Sequence, residues 1–119
     1  MMSLLKQKVK PVAGDLLMEN LGISEGDRKM LMNELDVIIN CAASVNFDDH
    51  LHDAIRINFL GTLKMLSLAK SCHNLQSFTH VSTCYVNANR SDFIKECIYD
   101  LPNAQDPEEV IESLLKLDP

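Results

Sequence analysis

This sequence has no cluster of lysine and arginine, no paired cysteines, no long apolar run and no internal repeat, and each absence narrows what the chain can be. Acidic residues number 17 against 11 basic ones, for a formal net charge of −6. Without a basic patch to neutralise a phosphate backbone, nucleic-acid binding is disfavoured. Apolar runs are as short as Val37-Ile38-Ile39, against the ~20 residues that span a bilayer, and the N-terminus lacks an apolar signal core. No transmembrane segment is expected, and the chain as given should be water-soluble. Cys41, Cys72, Cys84 and Cys97 lie far apart, with no Cys-x-x-Cys pair and no histidine at zinc-site spacing. They read as reduced thiols of a cytosol-facing protein, and no metal site is expected. Asn89-Arg90-Ser91 has the form of a glycosylation sequon, a pattern that means nothing without secretion.

What is present suits one modest domain. With 119 residues, 46% of them hydrophobic, the chain is long enough to bury ~65% of its unfolded surface. The half-alternating Lys8-Val9-Lys10-Pro11-Val12 predicts a short strand ending near Ala13, before a turn at Gly14-Asp15. Ser24 and Asp27 have capping-box spacing, and Met30, Leu31 and Leu35 follow at helical intervals, which predicts a helix over 25–35. Val37-Ile38-Ile39 is β-branched and apolar on both sides of the pleat, as a central parallel strand requires.

From Asp49 to Cys72, residues Leu51, Ile55, Asn58, Thr62, Leu66 and Ala69 recur at three- or four-residue steps, lining one face of a long helix. Asn58 is the polar amide on that stripe, expected to be buried. Phe78 to Thr83 reads as another strand, and Asp106-Pro107 opens a last helix with Val110, Ile111, Leu114 and Leu115 as its apolar face. Strand alternating with helix predicts βαβ crossovers and a parallel sheet.

In such sheets, ligands bind beyond the carboxyl ends of the strands, which directs attention to Gly14-Asp15, to Cys41-Ala42-Ala43-Ser44 and to Thr83-Cys84-Tyr85. Small side chains at Ala42 and Ala43 either let a flat cofactor lie close to the backbone or serve a tight turn. Asp15 either accepts from an adenine amine or caps its own turn. Asn58 must find partners or lose about 1 to 3 kcal/mol, through a catalytic role or through water or a neighbouring carbonyl. Ser82 and Thr83 either donate to a carbonyl oxygen as charge develops or close the strand end. His50 and His52, at i, i+2, diverge on a helix rather than share a metal.

The stretches "KVKPVAGDLLMENLGIS", "DVIINCAASVNFDDHL", "AIRINFLGTLKMLSLAKSC" and "FTHVSTCYVN" together resemble the fatty acyl-CoA reductases of the extended short-chain dehydrogenase/reductase superfamily, in order and spacing. The resemblance runs from Lys8 to Tyr99, about three-quarters of the chain. It implies a partial Rossmann-like doubly wound parallel sheet, middle strands and helices only, with residues 1–119 forming a single partial NAD(P)-binding domain. It further implies that Asp15 and Leu16 approach the adenine, that Cys41, Ala42 and Ala43 line the dinucleotide, and that Asn58 and Thr83, with Ser82 beside it, belong to the catalytic group. The implied chemistry is NADPH-dependent reduction of a long-chain fatty acyl-CoA to a fatty alcohol, in lipid, wax or ether-lipid precursor metabolism. The resemblance also implies a full-length protein associated with the cytoplasmic side of an endoplasmic reticulum or peroxisomal membrane.

Two of the family's motifs do not occur. A Gly-rich dinucleotide fingerprint would stand before Gly14. Of the Tyr-x-x-x-Lys pair, Tyr85 is followed at the lysine position by Asn89 and Tyr99 by Asn103. The 119 residues alone are therefore expected to turn over negligibly, and to lose stability because Val9 to Val12 and Val37 to Ile39 lack their sheet neighbours. Two readings compete: a non-catalytic α/β remnant that acts as a binding module, and another extended short-chain enzyme, such as an aldehyde-forming thioester reductase or a sugar-nucleotide epimerase.

Overall fold

Ser24 opens the first helix as its spacing predicts. Its Oγ accepts from the Asp27 N–H at 3.1 Å and donates to the Asp27 carboxylate at 2.7 Å, satisfying one of the donors that a helix start leaves open. The helix it caps, α1, spans Glu25–Glu34. The computed structural model that shows this describes residues 7–101, 103 and 105–117. Strand β1, Val37–Asn40, follows.

A helical stretch then runs from α2 (Leu51–Ala54) through a π-helical segment (Ile55–Leu60) into α3 (Gly61–Ser71). Strand β2, Ser77–His80, pairs with β1 in parallel, Val37 opposite Ser77 and Asn40 opposite His80. The last helix, α4, spans Pro107–Leu115, with Pro107 in its first turn and Asp106 Oδ1 accepting from the N–H groups of Glu108 and Glu109. Val110, Ile111, Leu114 and Leu115 are half-buried while the rest of α4 is exposed. A ring nitrogen of His52 lies 3.0 Å from the Leu114 carbonyl and ties the end of α4 to α2. The fold is thus mixed α/β with a two-stranded parallel sheet.

The core lies between α3, one face of β1 and the turn Glu19–Gly22, where Leu21, Ile38, Leu68 and Ala69 are buried. Asn20, Leu21 and Gly22 all hold positive φ, at 50°, 62° and 59°. For Leu21 the left-handed backbone costs about 1–2 kcal/mol, and burying its side chain returns about 2 kcal/mol, so the strain is tolerated. Gly61 lets this layer close: a Cβ there would lie 3.2 Å from Leu16 Cβ. Three residues on, Lys64 Nζ donates to the Leu16 and Leu17 carbonyls at 2.8 and 2.9 Å and holds the Gly14–Leu17 turn against α3. Where α3 meets α1, burial raises the Cys72 thiol above its ordinary 9.0, with Arg28 partly opposing. The fold therefore favours the neutral thiol, a contribution present below 9.0 and lost as pH rises through the raised value.

Several expectations are corrected. Lys8 to Val12 forms no strand; residues 7 and 8 are helical and Val9 to Val12 have no regular structure. A strand needs a hydrogen-bonding neighbour, and β1 and β2 pair with each other. β1 is apolar on both sides, but only Ile38 and Asn40 are buried; Val37 and Ile39 face outward at 50% and 66% exposure, because the helices that pack on it cover one face. β2 ends at His80, three residues before Thr83.

The long helix is divided by its π-helical segment, whose wider turn shifts the phase of the apolar stripe. Ile55, Gly61, Leu68 and Ala69 are buried, while Leu51 and Asn58 are exposed. The molecule exposes 9812 Å², against about 6,500 Å² expected of a compact monomer of this mass. Much apolar surface is accordingly uncovered, including Phe47, Phe93 and Ile98.

Candidate functional site

A cleft of about 790 Å³ lies at the carboxyl ends of the two parallel strands. That volume is within the usual ~300–1,000 Å³ of small-molecule sites. Cys41, Ala43, Asn58, Ser82 and Thr83 all line it, so residues from three separated segments meet in one place. Ala42 sits between Cys41 and Ala43 on the same loop and is exposed. Asp15 and Leu16 are elsewhere, in a separate hollow of about 330 Å³ walled by Leu31, Ile38 and Leu68.

Asn58 occupies both halves of its amide on one partner. Its Oδ1 accepts from the Ser44 N–H at 2.8 Å and its Nδ2 donates to the Ser44 carbonyl at 3.1 Å, the pairing that a neighbouring strand would offer. Ser44 is further held by its hydroxyl, which donates to Asp49. Asn46 Nδ2 donates to the same carboxylate at 2.7 Å, and the Asp48 N–H donates to Asn46 Oδ1 at 3.3 Å. The bonds to the Ser44 N–H and carbonyl and to the Asp48 N–H satisfy backbone groups that the loop does not pair with a strand or helix.

Thr83 precedes a short 3-10 turn, Cys84–Asn87, and its Oγ1 accepts from the Tyr85 N–H at 3.2 Å. The bond uses a lone pair, so the hydroxyl hydrogen remains free to donate into the cleft. Asp15 Oδ1 accepts from the Leu17 N–H at 2.8 Å, which is the turn-capping arrangement, and its second carboxylate oxygen is left for another donor. Phe47 and Tyr85, both on the cleft wall, meet edge to face with centroids 6.0 Å apart at 89°.

Two residues at the strand ends, one behind the cleft and one lining it, are not singled out by the sequence pattern. Asn40 ends β1 and is 3% exposed, and His80 ends β2 and lines the cleft. The signal for Asn40 was present: the period of two that turns Ile38 inward also turns Asn40 inward. Among the described residues, no group of three or more His, Cys, Asp or Glu is placed to hold a metal ion.

The arrangement fits a flat cofactor with hydroxyl and carbonyl acceptors. Small side chains line the start of the loop after β1, Asn58 holds that same loop at Ser44, and the Thr83 hydroxyl hydrogen is left for a ligand. No helix among the described residues is long and apolar enough to cross a membrane.

The sequence profile described as male sterility protein, an NAD-binding family, matches residues 1–117. The chain is 38% identical over 112 residues to fatty acyl-CoA reductase 1 of Xenopus laevis, covering 94% of this chain and 21% of that protein. It is 34% identical over 113 residues to the Homo sapiens protein of the same name, covering 95% of this chain and 21% of that one. With fatty acyl-CoA reductase 8 of Arabidopsis thaliana it shares 39% over 95 residues, 79% of this chain and 19% of the relative. The chain thus spans about a fifth of the length of these curated relatives.

Proposed function

We propose, because this chain belongs to the male sterility protein family of NAD-binding domains, that it supplies the middle of the cofactor-binding domain of an NADPH-dependent, alcohol-forming fatty acyl-CoA reductase. In this reading residues 1–119 are one partial domain, and β1 and β2 are two strands of a partial Rossmann-like doubly wound sheet. The observation that carries it is the single cleft at the strand ends that gathers Cys41, Ala43, Asn58, Ser82 and Thr83. Long-chain acyl-CoA is the substrate, and the complete protein works on the cytoplasmic side of an endoplasmic reticulum or peroxisomal membrane.

When bound, a reduced nicotinamide would supply one hydride to the thioester carbonyl, with the CoA thiol leaving, and a second nicotinamide would supply one hydride to the aldehyde. The protein's part is to hold and polarise. Cys41, Ala42 and Ala43 would form the floor under the dinucleotide, and Asp15 with Leu16 would take its adenine end. Thr83 donates its free hydroxyl hydrogen to the carbonyl oxygen as negative charge develops there, with Ser82 beside it. Asn58 acts through Ser44: it keeps the floor loop in place, so that the donor at Thr83 and the floor face each other at a constant separation.

The test uses the whole protein that carries these residues, with NADPH and palmitoyl-CoA. Fatty alcohol is the expected product, and Thr83→Val should lower kcat about 100-fold, the scale of losing one donor to a developing oxyanion. Accumulation of aldehyde would move the assignment to a thioester reductase. Absence of both NADPH consumption and NADPH binding would sink the enzymatic reading.

A further inference from the structure

Asn40 is a polar side chain at an inward strand position, 3% exposed, and such a group needs hydrogen-bond partners. Its Nδ2 lies 3.4 Å from Thr62 Oγ1 and 3.2 Å from His80 Nδ1. Counting hydrogens fixes the roles. Thr62 has one hydroxyl hydrogen, and it is donated to the Asn58 carbonyl at 2.8 Å. Toward Asn40 the Thr62 oxygen therefore accepts, and the group facing it must be the amide NH₂. One hydrogen of that NH₂ goes to Thr62, and the other is available to His80 Nδ1. Since an amide NH₂ cannot accept, Nδ1 is the bare ring nitrogen, and the ring hydrogen is on Nε2.

His80 is exposed and lines the same cleft as Asn58 and Thr83. With Nδ1 engaged by Asn40, the Nε2–H is the part of the ring left to meet solvent or a ligand. A donor fixed in this way loses little freedom on binding. We propose that His80 is a ligand-binding residue of the cleft: Asn40 locks its ring as the Nε2–H tautomer, and that hydrogen binds an oxygen of the occupant. The shared chemistry is a hydroxyl or carbonyl oxygen acceptor, supplied by the nicotinamide cofactor or by the acyl thioester. The identity of the occupant rests on the function proposed above, whereas the tautomer rests on the hydrogen count alone.

The whole protein that carries these residues is labelled with ¹⁵N at histidine, and its imidazole nitrogens are read by long-range ¹⁵N–¹H spectra at pH 8, with His80→Gln identifying the His80 signals. The expected result is a bare Nδ1 and a protonated Nε2 in the wild type, with both tautomers present in Asn40→Leu. Separate titrations with NADPH and with palmitoyl-CoA should move the Nε2 signal with one of them, which names the source of the oxygen. For that ligand, His80→Ala should weaken Kd about five- to tenfold, the worth of one hydrogen bond. His80→Gln keeps an N–H and should stay within about threefold of wild type.

A protonated Nδ1 in the wild type, or wild-type affinity of His80→Ala for both ligands, overturns the inference and leaves the reductase reading standing. A whole wild-type protein that binds neither ligand, with the tautomer as expected, overturns the ligand role together with the function proposed above.

Discussion

The loops that leave the two strands form the two sides of the cleft, and they are held in different ways. After β1, the segment from Cys41 to His50 is tied to a distant element: Ser44 is bonded through both backbone groups to Asn58, 14 residues away, and through its hydroxyl to Asp49. After β2, past the Val81 N–H that donates to the Asn40 carbonyl at 2.9 Å, the bonds are local. Thr83 caps Tyr85, Arg90 donates its N–H to the Asn87 carbonyl, and the Lys95 N–H donates to Tyr99 Oη at 2.8 Å. Phe93 and Ile98 are left 86% and 100% exposed. A site half is preorganised when its polar groups are bonded to an element that folds independently of it. By that measure the β1 side is built, and the β2 side is held by its own neighbours.

The strongest way to break this contrast is to remove its anchor. Asn58→Ala deletes two bonds to the Ser44 backbone, about 2 kcal/mol together, and should speed hydrogen exchange at the Ser44 amide about thirtyfold. The Leu68 amide inside α3 should barely change. Unaltered exchange at Ser44 would show that the loop owes its order to something else.

Asp49→Ala comes next in size. It removes acceptors for Ser44 Oγ and Asn46 Nδ2 at a part-exposed carboxylate, worth about 1 kcal/mol, so Ser44 exchange should rise about fivefold. An effect larger than that of Asn58→Ala would invert the ranking and make Asp49 the anchor.

How far the sequence reveals these features depends on whether the signal is local. Ser24 and Asp106 cap their helices as their spacing predicts, because a cap reads residues only two or three positions away. Cys41, Ala43, Ser82 and Thr83 fall in the cleft because the ends of parallel strands converge whatever the side chains are. The strand expected at Lys8 to Val12 depended on a partner strand, and alternation cannot supply one.

The π-helical segment was not legible either. Asn58 lies within it, exposed and bonded to Ser44 rather than buried on the apolar stripe. Asn40 and His80 escaped notice because their significance lies in a contact between residues 40 positions apart.

The smallest test probes the weaker side. Arg90 places its guanidinium 3.7 Å from the centroid of the Tyr99 ring, and both residues belong to the same segment after β2. At an exposed site such a contact is worth about 0.5 kcal/mol. Arg90→Ala should therefore shift the Tyr99 ring resonances and speed exchange of the Lys95 amide, which donates to Tyr99 Oη, by only about twofold. Ser44 exchange should be untouched, since no hydrogen bond among the described residues links 84–101 to the β1 loop. A response at Ser44 would mean that the two sides of the cleft are coupled, through the Phe47–Tyr85 ring contact that bridges them, and the division between a built and an unbuilt half would have to be given up.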